Sequence, residues 1–199
     1  MLETTIALII FLFPLAYSPG PGNMFFAANG ARFGLRATLP ANLGYHLATW
    51  IVTVAIGFGL FTVMQQYPQV FAILKIAGAG YVLLIAWKLF RAGVTDGAPP
   101  SKPASFADGV VLLILNPKAY VIIALMFSQF LGHPDQPRLA AVLLITTVFT
   151  VNNFIAFIVW IQLGDTMASR FRSPSKARIL NMGFGVILAA VAVWMLVFY

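Results

Sequence analysis

Six mainly apolar runs follow one another along the chain, roughly Thr5 to Ala31, Ala41 to Met64, Val70 to Phe90, Phe106 to Leu131, Leu139 to Leu163 and Ile179 to Phe198. A helix needs about 20 such residues to cross the ~30 Å hydrocarbon core of a bilayer, so each run predicts one transmembrane helix. The expected fold class is all-α, a polytopic membrane protein of six spans. These runs nearly exhaust the chain. No stretch remains for a separate soluble domain, and any site must lie between helices.

Two of the runs contain residues that helix interiors avoid. Ser18-Pro-Gly-Pro-Gly-Asn23 lies near the middle of the first, and Asn116-Pro117 near the middle of the fourth. Proline removes a backbone donor and crowds the preceding turn, and in lipid the freed carbonyls must be met by protein, water or substrate. One reading is that these residues merely kink their helices. The other is that both helices stop and restart beside a polar cavity. Asn before Pro suits a helix start, because Asn can cap and Pro fits the first helical position. Asn116-Pro117 and either Ser18-Pro19 or Gly22-Asn23 then each open a half-helix. Two such N-termini present partial positive charge and free N–H groups, which favour a carboxylate.

The matched interruptions point to an internal repeat. Residues 1–93 hold three runs, 94–105 form a cytoplasmic linker with Pro99, Pro100 and Pro103, and 106–199 hold three more. Three crossings per half invert the second half relative to the first, a design that recurs in secondary transporters. Gly78-Ala-Gly80 opens the third run and Gly183-Phe-Gly185 the sixth, 105 positions later. Glycines are also common wherever membrane helices pack closely.

Composition agrees with a lipid solvent: of 199 residues, 61% are hydrophobic and 9% charged, and the mean hydropathy is +0.93. The first residues include Glu3, lack a basic segment and precede no small-residue cleavage site, so a retained span is expected there rather than a secretory signal. The net charge of +7 reports topology. Placing both termini outside gives the cytoplasmic loops Arg32, Arg36, Lys88, Arg91, Lys102, Arg170, Arg172, Lys176 and Arg178, and leaves Arg138 external. Split among short loops without interleaved aromatics, this charge is not a nucleic-acid footprint. The absence of cysteine excludes disulfides, thiol relays and thiolate metal sites. No metal or other cofactor is expected.

Few polar groups fall inside the runs, and each is a candidate. Lys118 lies about 18 Å from either end of its run at ~1.5 Å per residue, too deep to snorkel. It either lines a pathway or donates to carbonyls freed at the break, and the two roles are compatible. Lys75 is closer to an external end, where snorkelling competes with a functional role. His46 is the titratable group in the spans with an ordinary pKa near neutral, and is either a packed, hydrogen-bonded residue or a proton carrier. Asn42, Asn152 and Asn153 lie on the second and fifth runs, equivalent under the repeat, and either line the cavity or bond between helices. Tyr17 and Tyr45 flank polar positions and read as packed aromatics, with gating as the alternative. Trp50, Trp87, Trp160, Trp194 and Tyr199 mostly read as interfacial or lipid-facing anchors.

The motifs Pro19-Gly-Pro-Gly-Asn23, Phe106-Ala-Asp-Gly109, Asn116-Pro-Lys-Ala119 and Phe127-Ser-Gln-Phe130, with Leu74-Lys75, Gly78, Gly80 and Trp87-Lys88, resemble the LysE/RhtB amino-acid exporter family over essentially the whole chain. The resemblance implies a bacterial inner-membrane exporter of homoserine, threonine, lysine or arginine, driven by the proton-motive force, with six spans and a homodimeric assembly. The half-helix N-termini at the two breaks, and not the resemblance, give the expected substrate-binding residues: Pro19, Gly20, Pro21, Gly22, Asn23, Asn116, Pro117 and Lys118. This chain departs from the family in carrying Gly22 before Asn23, where Asn or Asp commonly follows the second proline. It also lacks an intramembrane carboxylate, since Glu3, Asp96, Asp108, Asp135 and Asp165 all fall in loops or at run ends. A neutral amino acid is therefore expected over a basic one, with His46 as the proton-coupling candidate.

The mechanism expected is alternating access without covalent chemistry. An electron carrier would need cysteines or axial histidine pairs, and the histidines are His46 and His133 alone. A metal-ion permease would need carboxylates and histidines in its spans. An enzyme would need an acid, base and nucleophile around Lys118, which the sequence does not supply. The remaining alternative is a non-transporting membrane subunit.

Overall fold

A computed structural model describes residues 2–60, 68–94, 102–131, 137–170 and 174–198. Among them the chain forms seven α-helices and no strand. These are α1 (Leu2–Tyr17), α2 (Pro21–Ala55), α3 (Pro68–Val94), α4 (Phe106–Ile114), α5 (Pro117–Phe130), α6 (Arg138–Arg170) and α7 (Pro174–Phe198), and a π-helical turn (Ile56–Leu60) closes α2. The distribution of polarity is that of a multi-pass membrane protein. Ile10, Ile51, Ile76 and Val186 are exposed, whereas Asn23, Asn42, His46, Asn116 and Asn153 are buried. Among the described residues Pro21–Gly59 and Arg138–Ala168 are each long and apolar enough to span a bilayer, and the pair α4–α5, bent by 64°, is long and apolar enough only when taken together, as a broken span or a re-entrant loop. The helix α1 and the apolar stretches Ile76–Lys88 and Met182–Val193 are shorter.

Both expected interruptions are present. α1 stops at Tyr17 and α2 starts at Pro21; α4 stops at Ile114 and α5 starts at Pro117. The basic loop expected after the first run is corrected. Arg32 and Arg36 sit on helical backbone on either side of Gly34, whose φ of 77° and ψ of 176° turn the chain inside α2. Only glycine adopts that conformation without strain, and the alanines, leucine and arginines around it keep the flanks helical. The linker 94–105 is described only from Lys102 onward, where Ser105 caps α4: its hydroxyl accepts from the Asp108 N–H, and the Asp108 carboxylate accepts from the Ser105 N–H at 2.8 Å. His133, Asp135, Asp96 and Arg172 lie outside the described residues, as do the side chains of Lys75 and Trp194.

Because lipid tails are as apolar as leucine, helices in a bilayer gain little from hydrophobic burial against one another and depend on close approach. α2 packs along α6, α3 along α7, α4 on α2 and α1 on α6. Glycines set the α2–α6 distance: a Cβ at Gly30 would collide with the Ile161 carbonyl, and one at Gly164 with the Ala27 carbonyl. Three apolar clusters fill the contacts. One joins Met24, Ala27 and Ala28 to α3 and α7; one joins Leu8 and Leu12 to α5 and α6; and one packs Phe26, Tyr45, Leu113 and Phe157 around the two breaks.

Candidate functional site

Ending α1 in mid-chain frees its last carbonyls, and in a dry interior each must be answered. Five consecutive ones are. The Ser18 hydroxyl donates to the Leu15 carbonyl at 3.1 Å, the Asn23 amide to Ala16 at 2.9 Å, and the Trp160 indole to Tyr17 at 3.2 Å. The Lys118 ammonium donates to the Ser18 carbonyl and hydroxyl, both at 2.9 Å, and to the Pro19 carbonyl at 3.4 Å. Lys118 therefore ties the second break to the first, with its charge at the negative end of the α1 dipole. Its side chain lies across Gly20, where a Cβ would stand 2.9 Å from Lys118 Cδ and Nζ. At the second break the Tyr120 hydroxyl donates to the Ile114 carbonyl at 3.0 Å.

The N-terminal sides of the breaks differ from expectation in detail. α2 opens with Gly20 as N-cap and Pro21 in the first helical turn, rather than at Ser18-Pro19 or Gly22-Asn23. α5 opens at Asn116-Pro117 as expected, yet the Asn116 side chain does not cap it. Its Nδ2 instead donates to the Tyr45 hydroxyl at 2.9 Å, and its buried Oδ1 meets no partner among the described residues. Gly22 faces the same place: a Cβ there would lie 2.7 Å from Phe157 Cζ and 3.6 Å from Asn116 Nδ2. Phe157 in turn packs on Tyr45, His46 and Phe26 with ring centroids 4.7–5.0 Å apart. The glycine that sets this chain apart from the family pattern thus leaves room for a ring beside the break.

His46 is buried and fully engaged. Its Nδ1 donates to the Asn42 carbonyl at 2.8 Å, which leaves Nε2 to accept from Asn153 Nδ2 at 3.0 Å. Both contacts are those of a neutral imidazole, and the second joins α2 to α6. Asn42 is completely buried, and neither of its amide atoms has a partner among the described residues; Asn152 Nδ2 is likewise unmatched there. Structure thus gathers Asn23, Lys118, Asn116 and Gly20 to Gly22 at the paired breaks. It places Asn42, His46 and Asn153 on the adjoining α2–α6 contact.

Trp160 is a correction: expected as an interfacial anchor, it serves the Tyr17 carbonyl at the break. Tyr45, which the sequence presents as packing, and Tyr120, which nothing local marks, both hold hydrogen bonds at the breaks. Thr49, Thr53, Thr146 and Thr150 lie on the adjoining contact and carry no single-residue signal. They continue the helical spacing of Asn42 and His46 on α2 and of Asn153 on α6, a polar stripe visible in the sequence.

The profile of the LysE type translocator family matches residues 13–198. A homoserine/homoserine lactone efflux protein of Salmonella typhimurium is 28% identical over 176 residues, covering 86% of this chain and 85% of that protein. A cysteine/O-acetylserine efflux protein of Escherichia coli is 24% identical over 178 residues, covering 89% and 90%, and an uncharacterized membrane protein of Vibrio cholerae is 27% identical over 174. No solved structure matches the chain. A profile match over nearly the whole length, on a helical membrane protein with paired breaks, shows that this chain belongs to the LysE type translocator family and is a transporter, not an enzyme.

Proposed function

We propose that the protein exports small neutral amino acids, of the homoserine or threonine kind, from the cytoplasm across the bacterial inner membrane. The observation that carries this is the meeting of two broken helices, joined through Lys118, in a chain whose relatives are named as efflux proteins of amino acids and their derivatives. In this reading residues 1–93 and 106–199 are inverted three-span repeats, with α1 and the first part of α2 as one broken span and α4–α5 as its counterpart. The packing supports it, because α1 sits on α6 as α4 sits on α2, while α2–α6 and α3–α7 pair like with like. Both termini are external, and two copies form a homodimer.

The substrate carboxylate docks against the first N–H groups of α2 and α5, at Pro19, Gly20, Pro21, Gly22, Asn23, Asn116, Pro117 and Lys118. Asn42, Asn152 and Asn153 offer hydrogen bonds to its polar side chain. Glu3 and Asp165 are exposed and Asp108 is spent on its capping box, so no carboxylate among the described residues offers a basic side chain a counter-ion. That favours neutral cargo. The transport cycle is alternating access driven by the proton-motive force. His46 couples the two by gaining a proton on Nε2, which requires the Asn153 amide to turn its oxygen inward. Lys75 stays a secondary candidate.

The test is efflux from inside-loaded proteoliposomes with homoserine, threonine, cysteine, lysine and arginine, with and without an imposed pH gradient. The expected result is gradient-stimulated release of the neutral compounds. Release confined to lysine or arginine overturns the neutral assignment, and indifference to the gradient removes His46 as the coupling group.

A further inference from the structure

The contact between α2 and α6 has a register fixed by three observations. His46 Nε2 meets Asn153 Nδ2 at 3.0 Å, the Trp50 indole donates to the Thr147 hydroxyl at 3.3 Å, and a Cβ at Gly57 would stand 2.7 Å from Val142 Cγ1. The helices are antiparallel. Stepping from His46 by three, seven and eleven residues, with equal backward steps from Asn153, brings Thr49 level with Thr150, Thr53 with Thr146, and Gly57 with Val142. Those steps keep to one face of each helix. Four threonines thus stack in two layers between the His46–Asn153 pair and the end of α2.

A threonine in a helix normally spends its hydroxyl on the carbonyl one turn back. Thr49 does so on Tyr45, and Thr38 on Gly34, both at 2.8 Å. The hydroxyls of Thr53, Thr146 and Thr150 are buried and meet no partner among the described residues, and Thr53 and Thr146 are 0% exposed. Three unmatched hydroxyls on one seam, on the same helix pair as the unmatched amides of Asn42 and Asn152, make a place for bound water, which fills such sites with two to four hydrogen bonds each. The seam runs between two landmarks. At its far end the exposed Arg138 donates to the Gly57 carbonyl at 3.2 Å, where the π-helical turn loosens α2. At its near end lie the unmatched amide of Asn42 and the break site.

We propose that Thr53, Thr146 and Thr150 hold a file of bound water molecules between α2 and α6, and that this seam is the release route from the break site to the Arg138 end. The route is closed by helix packing in the conformation described. Water binding rests on the orphaned hydroxyls alone; the release role rests on the exporter reading above.

Water-edited solid-state NMR of the full chain in bilayers, with threonine and isoleucine labelled, tests the first part without any substitution. Thr53, Thr146 and Thr150 are expected to receive water magnetisation as quickly as Thr166, which is exposed beside Asp165 past the end of the fifth apolar run. Ile145, next to Thr146 but only 1% exposed in an apolar cluster, should receive it slowly. Seam threonines as slow as Ile145 would overturn the proposal. The pair Thr53→Val and Thr146→Val keeps the side-chain shape and removes two hydroxyls. It is expected to slow transfer to Thr150 and to lower homoserine efflux about tenfold with substrate affinity unchanged. Parental efflux in that double variant would overturn the release role. A parent protein that moves no amino acid, yet shows a wet seam, would instead overturn the exporter reading and leave the water site standing.

Discussion

Lys118→Met keeps the stem and removes only the ammonium, so it isolates the link between the two helix breaks. Two contacts are lost at 2.9 Å and one at 3.4 Å. A charge-assisted hydrogen bond contributes about 1.5–3 kcal/mol net, which sets an upper bound near 6 kcal/mol for the two short ones, while the long contact adds little. Two corrections lower that bound. Lys118 is half-buried, so part of its charge is screened, and hydrogen bonds inside membrane proteins couple by about 0.6 kcal/mol on average and about 1.7 at most. The expected loss is about 2–3 kcal/mol, or roughly 5–10 °C in melting temperature for a chain of this size.

Tryptophan-fluorescence melting of purified protein reads the change, and a double-mutant cycle with Ser18→Ala assigns it. Removing the Ser18 hydroxyl deletes one of the short contacts, so the cycle should return a coupling near 1 kcal/mol. A Lys118→Met protein that melts within about a degree of the parent and combines additively with Ser18→Ala would refute the reasoning. The ammonium would then be dispensable to the break, and its contacts a consequence of proximity.

Other substitutions probe neighbouring parts of the argument. Gly164→Ala should destabilise by about 1–3 kcal/mol, because its Cβ collides with the Ala27 carbonyl; Gly183→Ala, with nothing within 4 Å, should leave melting unchanged in the same assay. Trp160→Phe frees the Tyr17 carbonyl and should cost about 1–2 kcal/mol, readable as a lower melting temperature. Gly22→Ala pushes a methyl into Phe157 and should impair efflux more than folding, with recovery in Gly22→Ala combined with Phe157→Leu. Asn153→Leu removes the donor to His46 and should loosen α2 from α6, seen as faster amide exchange around His46.

Much of the fold is legible in the sequence, because proline, glycine and asparagine act on the backbone locally. Asn116-Pro117 announces a helix start whatever surrounds it, and Ser18 to Asn23 cannot continue a helix through two prolines. What answers the freed carbonyls is not local. Trp160 reaches Tyr17 from 143 positions away and Lys118 reaches Ser18 from 100, and an indole suits a lipid headgroup as well as an interior carbonyl. Gly34 misleads in the opposite sense. Flanked by arginines it reads as a loop, yet a single positive φ turns the chain while the neighbours stay helical.

Satisfied and unsatisfied polar groups divide the interior into two regions with different mechanical meaning. Around the end of α1, Ser18 and side chains from α2, α5 and α6 together meet every carbonyl from Leu15 to Pro19. Any movement that separated these elements there would expose several carbonyls to a dry interior at once, so this end is a fixed point. Along the adjoining face the unmatched atoms are Asn116 Oδ1, both amide atoms of Asn42, and the hydroxyls of Thr53, Thr146 and Thr150. These unmatched atoms lose no partner when the helices part and gain hydrogen bonds when a solute or water enters. The bonds that parting must break on this contact are those of Asn153 to His46 and of Trp50 to Thr147. An alternating-access cycle needs both properties: an anchor that keeps the breaks intact, and a face whose polar groups are better satisfied open than shut. The anchor lies at Lys118 and the yielding face along α2 and α6, so rocking should proceed about the breaks and open the seam.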